Sequence, residues 1–525
     1  MSDMSARRVL HDRVAEAPSF MEVVDHQRRT ATRLLDPTRR GVMGQFLTPS
    51  PVATFMAGMF ECEKSHIRLL DPGAGIGSLS AAFVAEMCAR RKKPKTLSIT
   101  AYELDPILLE SLSRTLGSCR VRCDEVGIDF RFHVLGEDFI EAGARALSND
   151  LLASGNGDEF DCAILNPPYR KIRAASRERR LLRKIGVETS NLYAGFLAVT
   201  IKLLASGGEM VAITPRSFCN GPYFEPFRRF LLRNLRFRRV HVFASRDRAF
   251  ADDQVLQENV IFSARKERTS PARVLVSSST DVDSRDTESR LVTHDDLVHP
   301  DDPHVFIHIV PNGDGESVRR LMAALEANLA DLGLTVSTGR VVDFRAQELL
   351  RREPGRNTVP LIYPCHLRSG CVEWPKLGGK KPNALGSGPK AGELLVPAGF
   401  YVLVKRFSAK EEPRRVVAAV YDPARIEADR VAFENHLNYF HRGGEGMPPT
   451  LAKGLAAYLN SSLVDSYFRQ FSGHTQVNAT DLRKLRYPSK EKLVALGRRI
   501  GRSFPNQDAI DGLMKEIVLH GQATS

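Results

Sequence analysis

The chain has 525 residues, too many for one ordinary hydrophobic core, and its 42% hydrophobic content suits folded globular units rather than a disordered chain. No apolar run is long enough to span a bilayer, and the start, MSDMSARRVLHDRVAEAP, lacks the apolar stretch of a secretory signal, so a cytoplasmic protein with no membrane partner is expected. The net charge of +13 favours a polyanionic partner, and the eight scattered cysteines read as reduced, packed thiols; Cys119 and Cys123 lack the second pair that a structural zinc site needs, so no metal is expected.

In chain order, residues 7–35 read as a basic amphipathic helix, the main part of an N-terminal helical extension over residues 1–40. GQFLTPSPVATFMAGMF, residues 44–60, is a loop leading into an apolar helix with Pro51 near its start. IRLLDPGAG is then a strand running into a glycine-rich turn, and SLSAAFVAEMCARR is a helix. LSITAYELDP is a strand with an acidic turn, and the helix ILLESLSRTLG follows it. FRFHVLGEDF and FDCAIL are further strands. NLYAGFLAVTIKLLASGG is a helix ending on glycines, and EMVAITPRSF is the strand after it. Strands alternating with helices imply right-handed crossovers and a mainly parallel sheet, so residues 41–265 are expected to form one α/β unit. Residues 266–304 are polar and low in aromatics, and are expected to be a connector. Residues 305–525 have short strands, many prolines and helices such as TLAKGLAAYLNSSLVDSYF, which suggest a mixed α+β unit without an internal repeat.

Three successive strand ends carry groups suited to a nucleoside cofactor. DPGAGIGSL (71–79) ends a strand and opens a helix, where glycines permit close backbone approach; alone it fits a tight turn or a dinucleotide loop as well. Glu103 ends the next strand, where a carboxylate can accept both hydroxyls of a ribose or be merely a solvated turn acid. Asp138 and Phe139, in GEDF, can meet an adenine amino group and cover its ring, although an ordinary acidic turn is the plainer reading of that stretch alone. Ligands of open α/β sheets lie over the carboxyl ends of the strands, so the joint arrangement says more than its parts.

The fourth strand end is FDCAILNPPYRKI, residues 160–172. An aromatic amino group is a poor nucleophile because its lone pair is delocalised into the ring. Two acceptors aimed at its two hydrogens would turn that lone pair toward a methyl donor. The Asn166 side-chain oxygen can be one acceptor and the Pro167 carbonyl the other, held by the fixed φ of two prolines, while Tyr169 can stack on the base. A PPxY peptide ligand has the same letters but belongs in exposed disordered segments, not after a buried-type strand.

This ordered set, preceded by GQFLTP, resembles the TaqI-type (gamma-class) DNA adenine-N6 methyltransferases of restriction–modification systems, an Eco57I-like methylase family, over residues 40–265. The resemblance implies a Rossmann-like S-adenosylmethionine-dependent methyltransferase domain followed, over residues 305–525, by a DNA target-recognition domain. It implies that Thr48 and Pro49 flank the methionine part of the cofactor, that Asp71, Gly73, Gly75 and Gly77 form the loop, that Glu103 holds the ribose, and that Asp138 and Phe139 hold the adenine. Asn166, Pro167 and Tyr169 would grip a flipped base, with Phe250 as a second aromatic. The stretch after NPPY, RKIRAASRERRLLRKIG, has eight basic residues against one acidic; Arg170, Lys171 and Arg173 are the expected DNA contacts. In the second half, YLNSSLVDSYFRQFSGHTQVNATDLRKLRYP would place Ser472, Gly473 and Thr475 near DNA, and Arg368, His441 and His474 are candidates to contact bases or phosphate. Double-stranded DNA, a separate cognate endonuclease and a monomeric state complete the expectation.

Rival readings keep the fold and change the substrate to an RNA base or a protein glutamine, or make the chain a non-catalytic DNA-binding subunit. An NAD enzyme would leave NPPY unexplained. Cytosine-C5 chemistry would need its cysteine beside the methyl donor, and Pro364-Cys365 lies far outside the α/β stretch.

Overall fold

In the computed structural model, residues 19–36, 46–149, 159–243, 259–267, 269, 273–280, 287–300, 302–309, 314–408, 412–471 and 476–519 are described. They divide into two compact units: residues 1–214, 229–271 and 279–287 in the first, and residues 215–228, 272–278 and 288–525 in the second.

In the first unit, helix α1 (Phe20–Leu34) opens with a capping box at Ser19 and Glu22. Helix α2 (Ser50–Ala57) begins with Pro51 in its first turn, where no N–H partner is needed. Strand β1 (His66–Pro72), helix α3 (Ser78–Ala89), β2 (Thr96–Tyr102), α4 (Pro106–Glu125), β3 (Asp129–Leu135), α5 (Phe139–Asn149) and β4 (Phe160–Leu165) then alternate as expected. Next come α6 (Arg177–Lys184), α7 (Leu192–Leu203), β5 (Leu204–Pro215), α8 (Glu225–Asn234), β6 (Arg236–Phe243) and β7 (Asn259–Arg265).

The part of the sheet within this unit has the order β3-β2-β1-β4-β5-β7-β6. β1 runs parallel to β2 and β4, β2 to β3 and β4 to β5; the β6–β7 pair is antiparallel. The mainly parallel α/β expectation therefore holds. Strand order reverses between β1 and β4, the kind of switch point over which ligands sit in such sheets. β4 is apolar along nearly its whole length because both its faces are covered: Cys162, Ala163, Ile164 and Leu165 are fully buried.

Helix α1 is less separate than an extension. Val24 and Ala31 belong to the same buried cluster as Leu69, Phe83 and Ile99 of the sheet and its helices. The Asp25 carboxylate accepts from the Ser50 N–H (3.2 Å), and the Ser50 hydroxyl donates to the Met21 carbonyl (2.8 Å), tying α1 to the start of α2.

The expected connector also differs. Residues 266–304 contain the strands Val274–Ser279 and Thr287–Val292 and a helical turn, His294–Leu297, capped by Thr293. Each strand is only six residues long, VLVSSS and TESRLV, and Val274 and Val276 of the first are fully buried. Low apolar content marked a half-buried strand here, not a loose segment.

The second unit is mixed α+β. One six-stranded sheet includes Thr335–Thr338, Leu437–His441, Tyr401–Lys405 and Ala418–Tyr421; a five-stranded sheet includes Thr358–Ile362, Arg430–Phe433 and Leu395–Pro397. Tyr401, Leu403, Tyr421, Phe433 and Tyr439 form one core, and helices Pro449–Leu459 and Lys490–Arg498 cover another containing Leu451, Leu455 and Leu493.

Candidate functional site

The carboxyl ends of β1, β2, β3 and β4 border one cleft, lined by Phe46, Leu47, Gly73, Gly75, Tyr102, Glu103, Leu104, Leu108, Glu137, Asp138, Phe139, Asn166, Pro168, Arg170, Leu192 and Phe196. Gly73, Gly75, Glu103, Asp138, Phe139 and Asn166 thus come together as the sequence suggested.

The glycine loop leaves β1 with positive φ at Gly73, Gly75 and Gly77. A Cβ on Gly75 would lie 2.8 Å from Leu47 Cδ2, whereas one on Gly77 would meet Leu112 Cδ1 at 2.9 Å. Gly75 therefore keeps the cleft wall thin, while Gly77, the N-cap of α3, lets that helix pack against α4. Asp71 is fully buried and does not line the cleft. The Ser80 hydroxyl donates to one of its oxygens at 2.6 Å, and burial pushes its carboxyl up to about 7. It anchors the loop from behind.

Glu103 is buried and takes three backbone N–H donors at 2.8 Å: Gly75 on one oxygen, Leu104 and Asp105 on the other. Burial raises its pKa, and these bonds oppose that rise. The loop is thus fastened to the end of β2 through a carboxylate whose remaining lone pairs can accept vicinal hydroxyls. Asp138 accepts from the Glu141 N–H at 2.9 Å and so caps α5 while facing the cleft. The Phe139 ring lies 5.2 Å from both Tyr102 and Phe196, an aromatic wall for a flat apolar ring. Acid for hydroxyls, aromatic wall for a base and a glycine loop for close backbone approach fit a nucleoside cofactor.

At the end of β4 the Asn166 amide is held by two contacts. Its Nδ2 donates to the Phe46 carbonyl (3.0 Å) and to Thr48 Oγ1 (3.1 Å). A carbonyl can only accept, so the nitrogen must face Phe46, and the amide oxygen faces the other way. There it accepts from the Tyr169 hydroxyl at 2.8 Å, which also reaches the Ile213 carbonyl at 3.3 Å. The half-buried Tyr169 ring stands edge-on to Tyr193 at 6.2 Å, and burial raises its hydroxyl pKa. Pro167 is buried.

Thr48 and Pro49, expected beside a cofactor, do not line the cleft: Thr48 is buried against Asn166, and Pro49 is the N-cap of α2. Their neighbours Phe46 and Leu47 line it instead, as do Tyr102 and Phe196, all unmarked by sequence reasoning. An apolar residue on a helix such as α7 gives no sign that it faces a cleft rather than the core. Arg170 lines the cleft and pairs with Glu178 at 2.9 Å; Lys171 and Arg173 are exposed and carry no ion pair among the described residues. Much of the charge on α6 is internally matched, since Arg177 pairs with Glu141, and both Arg179 and Arg183 pair with Glu188. Phe250, Ser472, Gly473, His474 and Thr475 lie outside the described residues.

His441 is bonded within its own unit. It is buried in its strand, its Nε2 is 3.0 Å from the Ser337 hydroxyl, and its Nδ1 accepts from the Gly444 N–H. Arg368 is exposed and lies 3.7 Å from Glu373.

Residues 127–250 match the family model described as Eco57I restriction-modification methylase. The chain is 44% identical over 494 residues to a protein of Providencia stuartii named type II methyltransferase M.PstI, covering 94% of this chain and 96% of that one. It is 43% identical over 510 residues to type II methyltransferase M.BsuBI of Bacillus subtilis, covering 96% and 99%. Among solved structures, the DrdV–DNA complex superposes with a TM-score of 0.50 at 14% identity, over 92% of this chain and 60% of that one, a likeness of fold.

Proposed function

Because the chain belongs to the type II DNA methyltransferases of restriction–modification systems, with S-adenosylmethionine as methyl donor, we propose that it methylates N6 of an adenine flipped out of double-stranded DNA at one short site. The observation that supports this most is the orientation of Asn166. With Nδ2 fixed by Phe46 and Thr48, the amide oxygen is presented at the cleft edge as an acceptor for an amino hydrogen.

The cofactor, when bound, supplies an electrophilic methyl group. Glu103 would hold its ribose, and Asp138 and the Phe139 wall its adenine. The chain's own work is then positioning. Asn166 Oδ1 and the Pro167 carbonyl each accept one hydrogen of the target amino group, which draws the nitrogen toward tetrahedral geometry and frees its lone pair. No acid or base is needed before transfer, because positioning frees the lone pair; the surplus proton leaves afterwards to water. Tyr169 OH occupies the Asn166 oxygen before the base arrives, and the Ile213 carbonyl is a second acceptor onto which it can turn. A base inside a duplex cannot reach this cleft, so flipping costs a few kcal/mol, part of which stacking on Tyr169 offsets. The enzyme would act as a monomer in the cytoplasm and protect its site from a companion endonuclease.

The test is the nucleoside composition of duplex DNA methylated by the purified protein. N6-methyladenine is expected, and N4-methylcytosine or C5-methylcytosine in its place would overturn the assignment. Asn166→Ala should lower kcat by about 10²–10³-fold while leaving DNA affinity within about three-fold, measured with a labelled duplex.

A further inference from the structure

Two loops of the second unit present apolar side chains to solvent. Phe344, in the short 3-10 turn Asp343–Arg345, and Leu377, in the turn that follows Lys376, are each 71% exposed. Among the described residues only Tyr223 is a more exposed large apolar side chain. These tips rest on a firm base. Lys381 Nζ is 2.9 Å from the Asp343 carboxylate and 5.0 Å from the centre of the Tyr363 ring, and the Tyr363 hydroxyl donates to Asp343 at 2.7 Å. Tyr363 is itself buried, so the turn and the lysine loop are pinned side by side. The backbone of Arg352 joins the same assembly, since the Asn383 N–H and Nδ2 both donate to its carbonyl at 3.1 Å.

Charge is interleaved with these tips. Residues 343–356 and 373–381 carry seven Lys and Arg against four Asp and Glu. Asp343 is matched by Lys381 and Glu373 by Arg368, so the excess is positive. The Arg345 guanidinium lies 5.4 Å from the Phe344 ring, while Lys376 and Lys380 flank Leu377 and are exposed. A protein-binding patch has an apolar core depleted of charge. Here each apolar tip sits among cations, a pattern that suits phosphates outside and base edges or steps within a groove.

We propose that this face, built from residues 343–345 and 376–381, docks on duplex DNA, with Phe344 and Leu377 entering a groove and Arg345, Lys376 and Lys380 on phosphates. It rests on the reading of the chain as a DNA methyltransferase and names the surface through which the second unit engages its substrate.

The experiment uses the full chain and a fluorescent duplex bearing the motif that the wild-type protein modifies. Phe344→Ala with Leu377→Ala should weaken binding to that duplex by ten-fold or more and blur discrimination against a scrambled duplex, while S-adenosylmethionine affinity and the melting temperature stay as in wild type. Phe344→Trp should keep wild-type binding. Lys380→Ala should lower the slope of log K against log salt by about 0.9, the contribution of one phosphate contact. Unchanged affinity and discrimination in the double variant would overturn the proposal, as would a change confined to self-association of the protein. Failure of the wild-type protein to modify any duplex would instead strike at the underlying DNA reading.

Discussion

Asn166 and the groups that orient it are 118 and 120 residues apart in sequence. That distance is why NPPY was legible as chemistry while the role of Thr48 was not: a motif shows which atoms can react, and a fold decides what holds them. A Thr48→Val variant loses one acceptor for the Asn166 amide and leaves an N–H unpaired. It should lower kcat by roughly five- to thirty-fold, about 1–2 kcal/mol, without weakening S-adenosylmethionine binding, and Thr48→Ser should restore the rate. A loss of cofactor affinity without a change in kcat would return Thr48 to the cofactor. Asp71 makes a different prediction at the same scale. Its carboxyl moves from an ordinary 3.8 to about 7 because folding removes it from water. Between about pH 4 and 7 the folded protein holds a proton that the unfolded chain has lost. The stability from that proton is complete below the unfolded value and disappears as pH rises through about 7. Asp71→Asn should flatten the fall in melting temperature between pH 5 and pH 8; an unchanged fall would show that other groups cause it.

The alternation of strands and helices was readable because strands such as β1 and β4 carry short apolar runs and helices such as α3 and α4 have their own punctuation. Asp105 caps α4 with Pro106 behind it, and glycines mark the loop before α3. What escaped was where a weak pattern was rescued by packing, as in the strands Val274–Ser279 and Thr287–Val292, and where an apparently separate helix, α1, shares the main core. The glycine loop allows an element-level test. Alanine at Gly77 would be forced to φ +87 against Leu112, and alanine at Gly75 to φ +59 against Leu47. Both should cost about 1–3 kcal/mol in urea unfolding. Only Gly75→Ala should also weaken S-adenosylmethionine binding in calorimetry, because only Leu47 lines the cleft. Equal binding losses in the two variants would mean that the loop moves as one piece.

At the scale of the whole molecule, the chain passes between the two units five times, at residues 214, 228, 271, 278 and 287. The boundary expected at residue 305 cuts across this weave. Segment 215–228 depends on what lies beyond it: Arg228 donates to the His304 carbonyl, the Ile307 N–H donates to the Cys219 carbonyl at 3.0 Å, and Arg216 reaches the Ile309 carbonyl at 3.1 Å. Removing residues 305–525 would strip two of these partners, Ile307 and Ile309, while leaving the segment tethered to the end of β5. The fragment 1–304 should elute as aggregate in size-exclusion chromatography and bind S-adenosylmethionine at least ten-fold more weakly than the full chain. A monomeric fragment with full binding would show the first unit to be self-sufficient. The weave also bears on how such an enzyme changes its target. An enzyme whose recognition half hangs on a single linker can trade it whole, by one crossover in its gene, and gain a new site at a stroke. Here no single crossover separates the two units, because segments 215–228 and 272–278 belong with residues 288–525. New specificity would then be reached residue by residue, at exposed turns such as those carrying Phe344 and Leu377, with the woven scaffold passed on intact.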